Sequence, residues 1–221
     1  MKAIFNRQTP LVYLITDRQM LPRQSRSPEP TELIDFLTAA LAAGVDLIQL
    51  RERDLPARAV LTIADALAPL AEQTGAAILI NDRADLAACA CTGVHLTTRS
   101  LKADAIRRAF GAHMLIGAST HNLAEARAAA SEGADFIVFG PVFETESKKA
   151  YGSPVGLAAL QEVAEQMTIP VIALGGIKPN NFHHTLAAGA AGIAAISMFV
   201  EAGDLRSLIR RIKSNRNESH A

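Results

Sequence analysis

Charged and hydrogen-bonding residues of this chain recur in one kind of place, directly after a short apolar run. Thr16-Asp17-Arg18 follows the first such run, and Gln49-Leu50-Arg51-Glu52-Arg53-Asp54 spans the end of the second. Asn81-Asp82-Arg83, His95-Leu96-Thr97-Thr98 and Ser119-Thr120-His121-Asn122 follow in turn. The sixth run leads into Gly140 through Lys149, the seventh into Gly175-Gly176-Ile177-Lys178 and the eighth into Ile196-Ser197-Met198. Arg51, Arg53, Lys148 and Lys149, with the hydroxyls of Thr145 and Ser147, suit a diphosphate, because guanidinium forks and an ammonium match its oxygens. Solvated loop charges would give the same composition. Gly175-Gly176-Ile177 exposes backbone amides, and Lys178-Pro179-Asn180-Asn181 is expected to open a helix with Pro179 in its first turn; amides in such a place attract anions. Asp82 could hold a magnesium ion, which takes one or two carboxylates together with substrate oxygens. It could equally cap the helix that follows.

These residues need a scaffold that delivers them to one place. Gly44-Val45-Asp46-Leu47-Ile48 closes an Ala/Leu-rich stretch and opens an apolar run, and the pattern returns at Gly75, Gly133 and Gly189. Shorter versions stand at Gly93 and Gly111. A glycine just past a helix can take the left-handed conformation that satisfies the last carbonyls. Two further strands, Leu11–Thr16 and Pro170–Leu174, lack it. Helices are expected near 30–43, 56–73, 83–90, 101–110, 122–131, 156–166, 179–188 and 205–212. The strands are apolar on both faces, as in a parallel sheet covered by helices. Eight βα units in 221 residues predict an α/β fold, a single (β/α)8 TIM barrel over 1–221 with its core at about 11–213. An open doubly wound sheet would ordinarily place a glycine-rich turn after its first strand, where this chain reads Thr16-Asp17-Arg18-Gln19. In a barrel, strand ends share one rim. The opposite end offers mostly Gly-Ala and Gly-Val junctions.

Composition narrows the partners. Lys and Arg number 22, Asp and Glu 22, and the formal net charge is zero, so nothing global points to nucleic acid or a membrane surface. The first residues lack the apolar stretch of a secretory signal, and no run approaches a membrane span. Cys89 and Cys91 are too few for a zinc site and are expected to be buried or half-buried free thiols in a reducing cytoplasm. Loop 19–28, rich in Pro, Ser and Arg, is expected to be mobile, and 214–221 to be a frayed tail. Small phosphorylated molecules are the expected partners; a homo-oligomer is left open.

The strand ends, in this order, resemble the thiamine-phosphate synthase and thiazole tautomerase family. The resemblance rests on Leu14 through Arg18, Gln49-Leu50-Arg51-Glu52, Asn81-Asp82-Arg83, Gly93-Val94-His95-Leu96 and Ser119-Thr120-His121. It continues through Phe139 to Lys148, Leu174-Gly175-Gly176-Ile177 and Gly189 to Ser197. It implies a cytoplasmic enzyme that joins a pyrimidine, activated as its diphosphate, to a thiazole phosphate. Diphosphate leaves a pyrimidine-methyl cation, which the thiazole nitrogen captures. By the same resemblance Gln49 and Ser119 lie around the pyrimidine, and Arg51, Asn81, Thr145, Ser147 and Lys148 lie on the diphosphate. Asp82 would be a ligand of Mg2+, and Gly176, Ile196 and Ser197 would cradle the thiazole phosphate. Two departures stand out: Arg53 replaces a lysine of the family pattern, and Ser100 occupies the place of a second magnesium carboxylate. The stretch Val142 through Lys149 also resembles the tautomerase branch, which moves a proton on the thiazole and for which His121 would be the acid/base. A phospholigand-binding barrel without catalysis is the third reading.

Overall fold

The computed structural model describes residues 2–21, 30–145 and 153–215. Eight parallel strands close into a barrel in chain order: β1 Leu11–Ile15, β2 Leu47–Leu50, β3 Ala77–Asn81, β4 Gly93–Leu96, β5 Ile116–Thr120, β6 Phe136–Phe139, β7 Val171–Leu174 and β8 Gly192–Ala195. Between and after them run α1 Pro30–Ala43, α2 Ala57–Thr74, α3 Ala84–Cys89, α4 Ala103–Phe110, α5 Leu123–Ser131, α6 Gly156–Gln166, α7 Phe182–Ala187, α8 Ser197–Val200 and α9 Leu205–Ser214. Short 3-10 turns at Lys2–Asn6 and Arg18–Met20 and the one-turn α8 go beyond the sequence expectation. No helix of the described residues is long and apolar enough to cross a membrane.

Alternation along each strand divides the core in two. Leu11, Tyr13, Ile15, Leu47, Ala77, Leu79, Phe136, Val138, Ile172 and Ala194 fill the barrel, while Val12, Leu14, Ile48, Ile78, Ile80, Ile137 and Ile193 pack beneath the helices. Gly117 shows how tightly the interior is filled. A Cβ there would lie 2.3 Å from Cζ of Phe136, whose ring packs beside Tyr13 and His95. A side chain larger than hydrogen would have to displace that ring.

The junction glycines Gly44, Gly75, Gly111, Gly133 and Gly189 take positive φ as expected. Gly93 does not: it is the first residue of β4, and a Cβ on it would stand 2.8 Å from the Leu115 carbonyl oxygen. The left-handed residue after α3 is Cys91, at φ 52. Cys89 and Cys91 are both exposed, against the expectation of buried thiols, because α3 is short and its end stands in solvent. The helix expected from Pro179 begins at Phe182, since 178–181 form a turn held by Asn181. Ser214 closes α9 rather than fraying, while 216–221 and most of loop 19–28 lie outside the described residues.

The end of the barrel away from the strand C-termini is not apolar. Asp46, fully buried, accepts a hydrogen bond from the Val12 amide at 2.9 Å and from Lys213 Nζ at 2.8 Å, and pairs with Arg7. Asp135 repeats the device: its carboxylate accepts from the Ile116 amide and from Arg107, each at 2.8 Å. In both Gly-x-Asp junctions the aspartate thus caps the start of the preceding strand. Asp46 also ties Arg7, just after the 3-10 turn Lys2–Asn6, and Lys213 of α9 to β1. Removing one partner of a buried charged set typically costs about 3–5 kcal/mol. Asp46→Ala is therefore expected to lower unfolding free energy by that order in denaturant titration. Lys213→Ala, which removes a side chain 23% exposed and one of two cations on Asp46, is expected to cost clearly less; equal losses would contradict this role of Asp46.

Candidate active site

The rim residues follow from the same alternation. Gln49 comes two residues after Leu47, Asn81 two after Leu79, and Leu174 two after Ile172, so the inward face of each strand changes from apolar to polar or open at its C-terminal end. Gln49 is 2% exposed, and its Nε2 donates to Asn81 Oδ1 at 3.1 Å. Asn81 pairs in register with His95, His95 with Gly117, and Ser119 with Val138. His95 Nε2 lies 2.9 Å from Ser119 Oγ, and His95 Nδ1 lies 3.1 Å from the Tyr13 hydroxyl. Tyr13 is not a site candidate by sequence, and His95 is one only as part of the fourth strand end, more structural than catalytic; both run beneath the site. The signal available was a tyrosine at an inward position of the apolar strand Leu11–Ile15.

Arg51 stands above this layer. Its amide donates to Thr16 Oγ1 at 2.9 Å, which joins the ends of β1 and β2. Burial first, and then the neighbouring Arg53, hold the Arg51 guanidinium below its usual range. The acidic residues between and after these two arginines are occupied elsewhere. Glu52 accepts from the Arg18 amide at 3.1 Å and from Arg18 Nη1 at 3.1 Å, and Asp54 takes both Arg18 Nη atoms at 2.5 and 2.7 Å. That fork pulls the Asp54 carboxyl down to about 2. Among the described residues neither Arg51 nor Arg53 has a carboxylate at salt-bridge distance. Two like charges, one of them partly desolvated, therefore stand at the rim with no salt-bridge partner among the described residues, although Asp17 and Glu52 offset part of the repulsion at Arg51.

Asp82 has φ 60, a left-handed backbone held by its amide bond to the His95 carbonyl at 2.9 Å. It does not cap α3, whose N-cap is Arg83, a residue that makes no side-chain capping bond and instead pairs with Asp85. Its carboxylate instead accepts the hydroxyl of Ser100, which in turn accepts the Thr97 amide at 2.7 Å. Position 100 thus faces Asp82. The oxygen ligands there are hard and include one carboxylate; among the described residues no group of three or more His, Cys, Asp or Glu is assembled for a metal. Such a set fits magnesium completed by phosphate oxygens, not an all-protein cage.

Gly176, at φ 64, packs so closely on the β6–α6 loop that a Cβ would lie 2.4 Å from the Glu144 carbonyl oxygen. The Asn181 amide group donates to Gly176 O at 3.0 Å, and Asn181 Oδ1 takes the Lys178 amide at 2.7 Å. Among the described residues, no protein acceptor is bonded to the amides of Gly176 or Ser197. Ile196 is the N-cap of α8 and packs on the barrel interior. His121 lies on the β5 rim, with Nδ1 3.0 Å from Glu125 Oε2. Its amide also donates to that oxygen, and Asn122 caps α5 through the Glu125 amide. Thr145 is the last described residue before 146–152, so Ser147 and Lys148 lie outside the described residues.

Desolvation, and after it the charge of Arg51, lowers the His95 imidazole from 6.5 to about 3. Between those values the unfolded chain binds a proton that the folded chain does not. The stabilisation is complete above 6.5 and is lost as pH falls toward 3, up to about 5 kcal/mol across the window. Denaturant titrations between pH 7 and 4.5 are expected to show a flatter stability profile for His95→Gln than for the native chain. Identical slopes would contradict a buried, neutral His95.

Comparison with known proteins identifies the family. The family described as thiamine monophosphate synthase matches residues 12–199. A protein of Geobacter sulfurreducens is 46% identical over 202 residues, 91% of this chain and 92% of that one. A thiamine-phosphate synthase of Roseiflexus castenholzii is 38% identical, over 91% of this chain and 86% of its own. Among solved structures, a thiamine phosphate pyrophosphorylase from Pyrococcus furiosus superposes with a TM-score of 0.80 at 30% identity, covering 94% of this chain and 96% of that one. With nearly the whole barrel matched, and relatives well above a third identical along it, the chain belongs to the thiamine monophosphate synthase family.

Proposed function

We propose that this chain is a thiamine-phosphate synthase, a transferase that joins a hydroxymethylpyrimidine diphosphate to a thiazole phosphate and releases diphosphate. The observation that carries the reading is the Arg51–Arg53 couple on the rim, which has no salt-bridge partner among the described residues and whose neighbouring carboxylates are held by Arg18. A partly buried guanidinium next to a like charge is unfavourable until an anion arrives, so the site is built to take a polyanion such as diphosphate.

The roles follow from position. Gln49, fixed by Asn81, and Ser119, fixed by His95, border the pyrimidine. Arg51, with Arg53, Asn81 and Thr145, and by the family resemblance Ser147 and Lys148, which lie outside the described residues, holds the diphosphate. As the carbon–oxygen bond breaks, negative charge grows on the leaving oxygen, and cations placed there stabilise the transition state more than the ground state. Magnesium, when bound, adds charge neutralisation at the same oxygens, with Asp82 as its carboxylate and Ser100 beside it. The amides of Gly176 and Ser197, with Ile196 behind them, receive the thiazole phosphate and leave its ring nitrogen facing the cation. The tautomerase alternative has one observation of its own: the rim pair His121–Glu125 has the form of an acid/base with an orienting carboxylate.

Initial rates separate these readings. With both substrates and magnesium, Arg51→Ala and Asp82→Asn are each expected to lower the coupling rate by about 10²-fold or more, the scale of lost transition-state charge stabilisation. His121→Ala is expected to change it less than about tenfold, below the usual contribution of general acid–base catalysis. A coupling rate indifferent to chelator and to Asp82→Asn, with proton transfer on the thiazole abolished by His121→Ala, would overturn the synthase reading in favour of the tautomerase.

A further inference from the structure

Three groups from β1, β4 and β5 stand in one line inside the barrel and end at the rim. Tyr13 and His95 are 0% and 2% exposed, and Phe136 closes the space beside them. The Tyr13 hydroxyl is 3.1 Å from His95 Nδ1, and His95 Nε2 is 2.9 Å from Ser119 Oγ. Among the described residues, His95 Nδ1 is the only hydrogen-bonding partner of the phenol. Ser119, second from the end of β5, is partly open to the rim.

The buried end of this line determines what the open end offers. If the imidazole carried its proton on Nδ1, it would donate to the phenol oxygen, and the phenol O–H would have no acceptor among the apolar side chains around it. Leaving a buried donor unsatisfied costs about 1–3 kcal/mol. A doubly protonated ring meets the same objection. The arrangement that satisfies every atom has the Tyr13 O–H donating to Nδ1 and Nε2–H donating to Ser119 Oγ. One acceptor site of Ser119 is then taken, and its own proton is left to point toward the rim.

We propose that Tyr13 and His95 are positioning residues that fix Ser119 as a hydrogen-bond donor to bound substrate. The group recognised at that point is accordingly an acceptor, an sp2 ring nitrogen of the pyrimidine, not an amino or N–H group. This rests on the synthase reading for the identity of the ring, but the proton arrangement is a property of the resting protein.

The test has two arms. In the first, nitrogen NMR of the full chain labelled at histidine reads the His95 tautomer without substrate. Protonated Nε2 with bare Nδ1 is expected, and protonated Nδ1 would overturn the proposal. In the second, KM for the pyrimidine diphosphate is measured for Tyr13→Phe, Ser119→Ala and the double variant. Each single change is expected to raise it about tenfold, roughly one hydrogen bond. The double variant is expected to match Ser119→Ala, and KM for the thiazole phosphate to stay within about twofold, because the line acts only through Ser119. Effects of Tyr13→Phe and Ser119→Ala that simply add, or that fall on both substrates alike, indicate packing and overturn it. Failure of the native chain to form thiamine phosphate would refute the synthase reading instead, and the tautomer in the first arm would still decide the proton arrangement.

Discussion

A parallel strand cannot be joined to its neighbour by a tight turn, so the chain must cross back over the sheet after every strand. That constraint orders everything else here. Seven such crossings put all eight strand C-termini at one end, and the two-residue period of a strand then decides which side chains enter the barrel. Leu47, Leu79 and Ile172 fill it, while Gln49 and Asn81, one period later, meet above them. The site is therefore the continuation of the core, with polar side chains substituted where packing gives way to the rim.

Polar groups inside such a barrel persist because each has a partner. The Asp46 carboxylate is surrounded by an amide and two cations at one end, and Ser119, His95 and Tyr13 satisfy one another toward the other. The rim applies the opposite rule to its cations. Arg18 binds Glu52 and Asp54, so Arg51 and Arg53 keep their charge available to a ligand. Stability and function divide along the barrel axis in this way: Asp46 and Asp135 are compensated below, while among the described residues Arg51 and Arg53 have no salt-bridge partner above.

Much of the barrel was legible in the sequence because the signals are local. Gly44, Gly75, Gly111, Gly133 and Gly189 mark helix ends through their own backbone freedom, and α1 and α6 fall where their apolar pattern places them. The exceptions have long-range causes. Gly93 is a glycine for want of space against Leu115, so Cys91 has to make the turn. Asn181 bonds back to Lys178 and Gly176, which delays α7 beyond Pro179. The roles of Asp46 and Asp135 depend on Arg7, Lys213 and Arg107, which are far away in the chain. At the rim, residue types and order pointed to Gln49, Arg51, Asn81, Asp82 and Ser119. The line behind Ser119 was invisible because an inward tyrosine and histidine look like ordinary core until their atoms are seen to meet.

The central claim is that one rim binds the pyrimidine diphosphate with its charged end on the arginine couple and its ring on Ser119. A crystal structure of the native chain with magnesium and that diphosphate tests it most directly. Diphosphate oxygens are expected within hydrogen-bonding distance of the Arg51 guanidinium, the metal at Asp82, and a ring nitrogen facing Ser119 Oγ. Diphosphate bound away from Arg51, or a pyrimidine ring bound outside the layer of Gln49 and Ser119, would contradict it.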